Sequence, residues 1–172
     1  MNAVLILNYN DYKTTLTLVN NIKAFNSIDY IVVVDNNSTD ESYSILKKYE
    51  TEKILVIRSD KNGGYGYGNN FGIRYICNNL HADYILIANP DVEFSEELYK
   101  GLIEVMRENE DCGVCAALMT SPDGEVQKNT AWKIPSARSY ALSSSAVLNK
   151  LFKYDLYSDE YFKDKDVCQV DC

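Results

Sequence analysis

Apolar residues in this chain fall into short unbroken runs separated by segments of helical spacing. "AVLILN" (3–8), "YIVVVD" (30–35), "KILVIR" (53–58) and "DYILIA" (83–88) show no strict alternation. Such runs mark strands buried on both faces. Between the first two, "DYKTTLTLVNNIKAF" sets Leu16, Val19, Ile22 and Phe25 near the helical period. Ser38 and Glu41 have the spacing of a capping box, which predicts a helix running to about Tyr49. The glycine-rich "KNGGYGYGNN" leads into a helix near 69–79, and Ser95 with Glu96 and Glu97 caps another to about Asn109. "GVCAALM" (113–119) reads as a fifth strand, and "SPDG" (121–124) as a turn into a short one.

Four alternations of strand and helix with short joints predict the α/β class: a mostly parallel sheet flanked by helices, with right-handed crossovers. After Thr130 the alternation stops. The expected division is a domain over 1–130 and an irregular Tyr- and Lys-rich tail over 131–172. In parallel sheets ligands bind outside the carboxyl ends of the strands. Polar residues gather at those ends: Asn8 and Asn10, Asp35 and Asn36, the glycine loop, then Asn89 and Asp91.

Composition narrows the partners. A hydrophobic content of 46% is that of a globular chain. The net charge of −8 argues against a dedicated nucleic-acid binder, whose phosphate contacts need clustered Lys and Arg. A small anionic ligand stays open, because backbone amides or a metal ion can hold one. No apolar run approaches the roughly 20 residues of a membrane span. Five cysteines, an odd number, and an N-terminus without a basic region point to a reducing cytoplasm, free or at the inner face of the membrane.

Each candidate site has a plainer reading beside it. Asp35 ends a strand, either as a turn or capping aspartate or as a carboxylate accepting hydrogen bonds from a base or ribose. "NGGYGYGNN" (62–70) is a phosphate cradle or a flexible turn; it matches neither the dinucleotide fingerprint nor a P-loop. In "YILIANPDVEF" (84–94), Asp91 either starts the next helix after an Asn-Pro-Asp turn or offers Mg²⁺ or Mn²⁺ a hard oxygen ligand. Cys112-x-x-Cys115 and Cys168-x3-Cys172 suggest zinc, but packing as buried small hydrophobes explains the first pair better. His81 is the sole histidine and no nucleophile lies near it in sequence, so histidine-based hydrolysis is not expected.

The order of these motifs is more specific than any one of them. "LILNYN", "IVVVDNNSTDES", "KNGGYGYGNNFGI" and "YILIANPDVEF" together resemble the family-2 glycosyltransferases, in particular a bacterial rhamnosyltransferase-like branch, over residues 3 to 130. The resemblance implies a glycosyltransferase-A fold and a nucleotide-diphosphate sugar donor over the sheet edge. "NPD" stands where the family keeps Asp-x-Asp. By that match Asp91 would hold the metal and Asn89 would face the ribose or sugar. Asp35 would contact the base, the Asn8–Tyr9–Asn10 backbone would line its pocket, and Asn62, Gly64 and Asn69 would border the diphosphate.

The resemblance also implies inversion, with a carboxylate base deprotonating a hydroxyl of a glycan or lipid-linked acceptor in surface-polysaccharide synthesis. That base belongs to a later acidic motif, expected beyond Cys172, because "QVDC" looks like the threshold of the acceptor-side region. Asp164 and Asp166 in "YFKDKDVC" mimic the motif but come too early and are interrupted by lysines. An apolar edge left there could be covered by self-association. Two rivals are a non-catalytic nucleotide-sugar-binding module and a nucleotidyltransferase. The latter would carry a basic glycine-rich loop after the first strand, and "NYNDYK" is not one.

Overall fold

A computed structural model describes residues 1–121, 123 and 124. Residues 1–107 form one compact unit. Its centre is a four-stranded parallel sheet of β1 (Asn2–Asn8), β2 (Tyr30–Asp35), β3 (Ile54–Arg58) and β4 (Tyr84–Ala88), in the order β3-β2-β1-β4. The four predicted strands are thus present, with ends shifted by at most one residue. Parallel register aligns Asn8 with Asp35 and Asp35 with Arg58, so three polar side chains meet on one line at the carboxyl edge.

The chain runs outward from β1 through β2 to β3, then crosses back to place β4 on the other side of β1. Reversing direction while keeping right-handed crossovers moves the connecting helix to the opposite face. Accordingly α1 (Tyr12–Ile22) and α2 (Ser42–Leu46) cover one face, packing Leu18, Val19, Ile22 and Leu46 on Val4, Ile6, Ile31 and Val33. The helix α3 (Tyr65–Asn79) covers the other, with Ile76 among Ala3, Leu5, Val32 and Val34. The helix α4 (Glu96–Glu108) adds Tyr99 and Ile103 to the first face, where Phe94 stacks edge-on against Phe25.

The contact of α3 with the sheet depends on Gly68. A methyl group there would come within 2.4 Å of Leu7 Cδ1 and 3.1 Å of Asn36 Cγ. Absence of a side chain lets the first turn of α3 lie against the ends of β1 and β2.

The structure departs from three expectations. The predicted capping box does not form: α2 begins at Ser42, Asp40 Oδ1 accepts from the Ser42 N–H at 3.0 Å, and Glu41 makes no side-chain cap. Ser38 is drawn instead to the end of β1, where its hydroxyl accepts from Asn8 and Asn10. The fifth strand is also absent. Residues 113–119 form no ladder among the described residues, and Val114 is 88% exposed, since an apolar run becomes a strand only where a partner edge takes its backbone bonds. Cys112 and Cys115, expected to be buried, are only half-buried, and burial pushes the Cys115 thiol up from its ordinary value. Residues 131–172, with Asp164, Asp166, Cys168 and Cys172, lie outside the described residues.

Candidate functional site

The point where chain direction reverses, beside β1, opens a crevice at the carboxyl edge of the sheet. A cleft of about 480 Å³ lies there, a volume suited to a small-molecule ligand. Loops after all four strands line it: Leu7, Tyr9, Asp11 and Thr14 from β1 and the start of α1, and Asn36 from the end of β2. Asn62, Gly64 and Tyr65 come from the glycine loop, and Asn89, Pro90 and Asp91 follow β4.

A buried polar layer beneath the cleft fixes these loops. Asp35 is fully buried; its Oδ1 accepts from Asn8 Nδ2 at 2.9 Å and its Oδ2 from the Ser38 N–H at 3.0 Å. Arg58 Nε lies 3.4 Å from Asp35 Oδ2, and Arg58 Nη2 donates to the Ser38 carbonyl at 2.8 Å. Asn8 Oδ1 in turn accepts from Thr15 Oγ1 at 2.9 Å, which ties α1 to the same layer. A buried carboxylate survives only when charge and hydrogen bonds satisfy it, and here both are present. Asn10 takes a positive φ of 54° and clamps Thr39 through both amide atoms, locking the loop after β1 to the loop after β2.

The glycine loop is held, not loose. Asn36 Nδ2 donates to Asn62 Oδ1 at 3.0 Å and to the Gly64 carbonyl at 3.2 Å, while the Gly64 N–H donates to Asn62 Oδ1 at 3.0 Å. Gly64 has φ 85°, a left-handed conformation that glycine adopts without strain, and it turns the chain into α3 with no capping side chain. The first intrahelical bond is from the Gly68 N–H to the Gly64 carbonyl, so the preceding N–H groups of α3 remain available to an anion.

Of the residues singled out from sequence, Tyr9, Asn62, Gly64, Asn89 and Asp91 line the cleft together. Asn8 and Asp35 lie in the layer below, and Asn10 braces the rim. Asn69 is 5% exposed in α3, and neither atom of its amide has a hydrogen-bond partner. Sequence reasoning placed Asn36 at the ligand-binding edge and Tyr65 inside the 62–70 stretch but gave neither a role, and it missed Asp11 and Thr14 as cleft residues. Asp11 could have been found, because an aspartate directly before a helical pattern is a capping signal.

Asp91 is exposed in the cleft beside the amide of Asn89, and no group of three or more His, Cys, Asp or Glu side chains that could hold a metal occurs among the described residues. Asp91, with Asp11 the only other carboxylate among the cleft residues and occupied in capping α1, suits Mg²⁺ or Mn²⁺ bound largely through phosphate oxygens and water, not a cation enclosed by protein.

Comparison with known proteins bears on the family and the fold. The family model described as glycosyl transferase family 2 matches residues 3–169. A low-salt glycan biosynthesis hexosyltransferase, Agl10 of Haloferax volcanii, is 34% identical over 96 residues, covering 55% of this chain and 29% of that protein. Among solved structures, the mannosyltransferase PcManGT from Pyrobaculum calidifontis, in complex with GDP-Man and Mn²⁺, superposes with a TM-score of 0.55 at 16% identity. That match covers 71% of this chain and 36% of the mannosyltransferase. S. aureus TarS 1–349 in complex with UDP gives 0.50 at 22% identity, over 70% of this chain and 39% of that one. The chain therefore spans between about three tenths and two fifths of these relatives, and it shares the glycosyltransferase-A fold with the solved structures.

Proposed function

Since the chain belongs to glycosyl transferase family 2, we propose that residues 1–130 form the donor-binding part of an inverting glycosyltransferase. The donor is a nucleotide-diphosphate sugar, and the acceptor a glycan or lipid-linked hydroxyl in surface-polysaccharide synthesis. The observation that carries this reading is the cleft itself, where the Asn89-Pro90-Asp91 corner faces the glycine loop and the uncapped start of α3.

In this reading the diphosphate lies near Asn62, Gly64 and the N–H groups opening α3, with Asn69 behind them. Asn89 faces the ribose or sugar. Tyr9 and the backbone from Asn8 to Asn10 border the base. Asp35 has its oxygens engaged by Asn8, Ser38 and Arg58, so it acts on the base end through the loops that it holds. Asp91 would hold Mg²⁺ or Mn²⁺, which when bound offsets the negative charge of a departing diphosphate. The acceptor proton goes to a carboxylate base outside the described residues. The proposed compartment is the cytoplasm, where cysteines stay reduced; no helix among the described residues is long and apolar enough to cross a membrane.

The test is calorimetry of the chain with uridine, guanosine and deoxythymidine diphosphates, each with Mn²⁺ and with EDTA. Saturable binding of one or more supports the reading. No binding of any up to millimolar concentration removes it.

A further inference from the structure

Across the cleft, one hydrogen bond joins two walls that come from different crossovers. Tyr65 opens α3, is 60% exposed, and its hydroxyl donates to Asn89 Oδ1 at 3.0 Å. Both residues line the cleft. Each end of this bond is built on restrained backbone. Gly64, just before Tyr65, is pinned by Asn36 and Asn62. Pro90, just after Asn89, fixes its own φ and holds Asn89 to extended conformations.

An amide side chain has one acceptor oxygen and an NH₂ that only donates. With one of the two lone pairs of Oδ1 taken by Tyr65 and that oxygen held toward α3, the wholly uncommitted group of Asn89 is Nδ2, for which no protein partner occurs among the described residues. A carboxylate in the same pose would turn a second anionic oxygen toward a cation. The held amide turns an N–H instead, which suits a hydroxyl or phosphoryl oxygen and repels a metal.

We propose that Tyr65 is the positioning residue for Asn89: its hydroxyl fixes the amide so that Asn89 meets the sugar nucleotide as a hydrogen-bond donor and not as a metal ligand. This rests on reading the cleft as a sugar-nucleotide site. It assigns Tyr65 a part in donor recognition and leaves Asp91 as the cleft's metal-binding group beside it.

The experiment measures dissociation constants of the full chain for UDP-glucose, GDP-mannose and dTDP-rhamnose in Mn²⁺, and continues with the tightest binder. Tyr65→Phe should weaken binding about threefold to tenfold, the worth of one hydrogen bond, and Asn89→Ala by a similar factor or more. In the Asn89→Ala background, Tyr65→Phe should change affinity by less than about twofold, because its effect passes through the amide. Equal losses in both backgrounds, or no loss in the parent, would overturn the proposal.

A second arm uses Asn89→Asp, which keeps the oxygen that Tyr65 holds and turns the N–H into a carboxylate oxygen. The ratio of affinity in Mn²⁺ to affinity in EDTA should rise about tenfold or more, as a second hard oxygen joins Asp91. An unchanged or lower ratio would show that position 89 does not reach the ion, and would overturn the claim that Tyr65 holds Asn89 off the metal. If none of the three sugar nucleotides binds the parent, the reading of the cleft fails and takes this one with it. If one binds and the two substitutions are uncoupled, only the role of Tyr65 fails.

Discussion

Two aspartates stand at the carboxyl end of the sheet, and the structure sends them to opposite environments. Asp35 is fully buried and bonded to Asn8, Ser38 and Arg58, whereas Asp91 is exposed in the cleft. Asp35→Ala strands the Asn8 amide and the Ser38 N–H without an acceptor, while Arg58, 41% exposed, keeps its hydration. The expected loss is about 2–3 kcal/mol of stability, read by denaturant unfolding. Asp91→Asn should leave stability within about 0.5 kcal/mol, as is usual for surface changes. It should abolish most of the Mn²⁺-dependent gain in nucleotide affinity; an unaltered gain would reduce Asp91 to a turn residue. Tyr99 is a third case. Its hydroxyl is buried without a partner, and desolvation, then the charge of Asp29, pushes its pKa up to about 12 from 10.0. Between those values the unfolded chain loses a proton that the folded chain keeps, so stability falls as pH rises through that window. Tyr99→Phe should reduce the alkaline loss by Tyr99's share and leave stability at pH 7 unchanged or slightly higher, which a pair of pH-dependent melting series would reveal.

At the scale of elements, what could be read in advance was what depends on local pattern. Unbroken runs such as "YIVVVD" gave strands almost residue for residue, because burial on both faces leaves little other choice. Boundaries set by competition between partners were not legible. Ser38 has capping spacing but finds a better use holding Asn8 and Asn10, a contact that exists only once β1 and β2 pair. The run 113–119 has strand composition without a ladder among the described residues. The glycines of 63–68 argue against helix, so the pattern predicts α3 from about residue 69; it starts at Tyr65 because the tertiary contact tolerates them. Gly68 shows this directly. Alanine would gain about 1 kcal/mol of helix propensity, but its methyl meets Leu7 at 2.4 Å and Asn36 at 3.1 Å. Overpacking of that kind costs about 1–3 kcal/mol, and Asn36 cannot yield without releasing Asn62 and Gly64. Gly68→Ala is therefore expected to lower the melting temperature and to weaken nucleotide binding together. A more stable variant with intact binding would mean that Leu7 swings aside freely.

At the scale of the whole molecule, charge decides how an anionic donor can be held. The chain carries −8, and Asp11 and Asp91 both line the cleft. Against them stand the N-terminal ends of α1 and α3, whose dipoles act only over the first turn. For the proposed donor, this balance predicts weak binding of a bare nucleoside diphosphate, with a divalent cation as the natural remedy. In Mn²⁺, a nucleotide at about 100 times its dissociation constant should stabilise the fold by ~2.7 kcal/mol. In EDTA the same nucleotide should bind more weakly, and raising the salt should not weaken it further, because added ions screen the repulsion from Asp91, Asp11 and the surrounding surface. A site built on lysines and arginines behaves the other way, losing affinity steadily as salt rises. Thermal melts across a salt series, with Mn²⁺ or EDTA and a fixed excess of uridine diphosphate, separate the two. A steep fall in EDTA would place the dominant anion contacts on basic side chains and not on the glycine loop, the helix ends and an ion at Asp91.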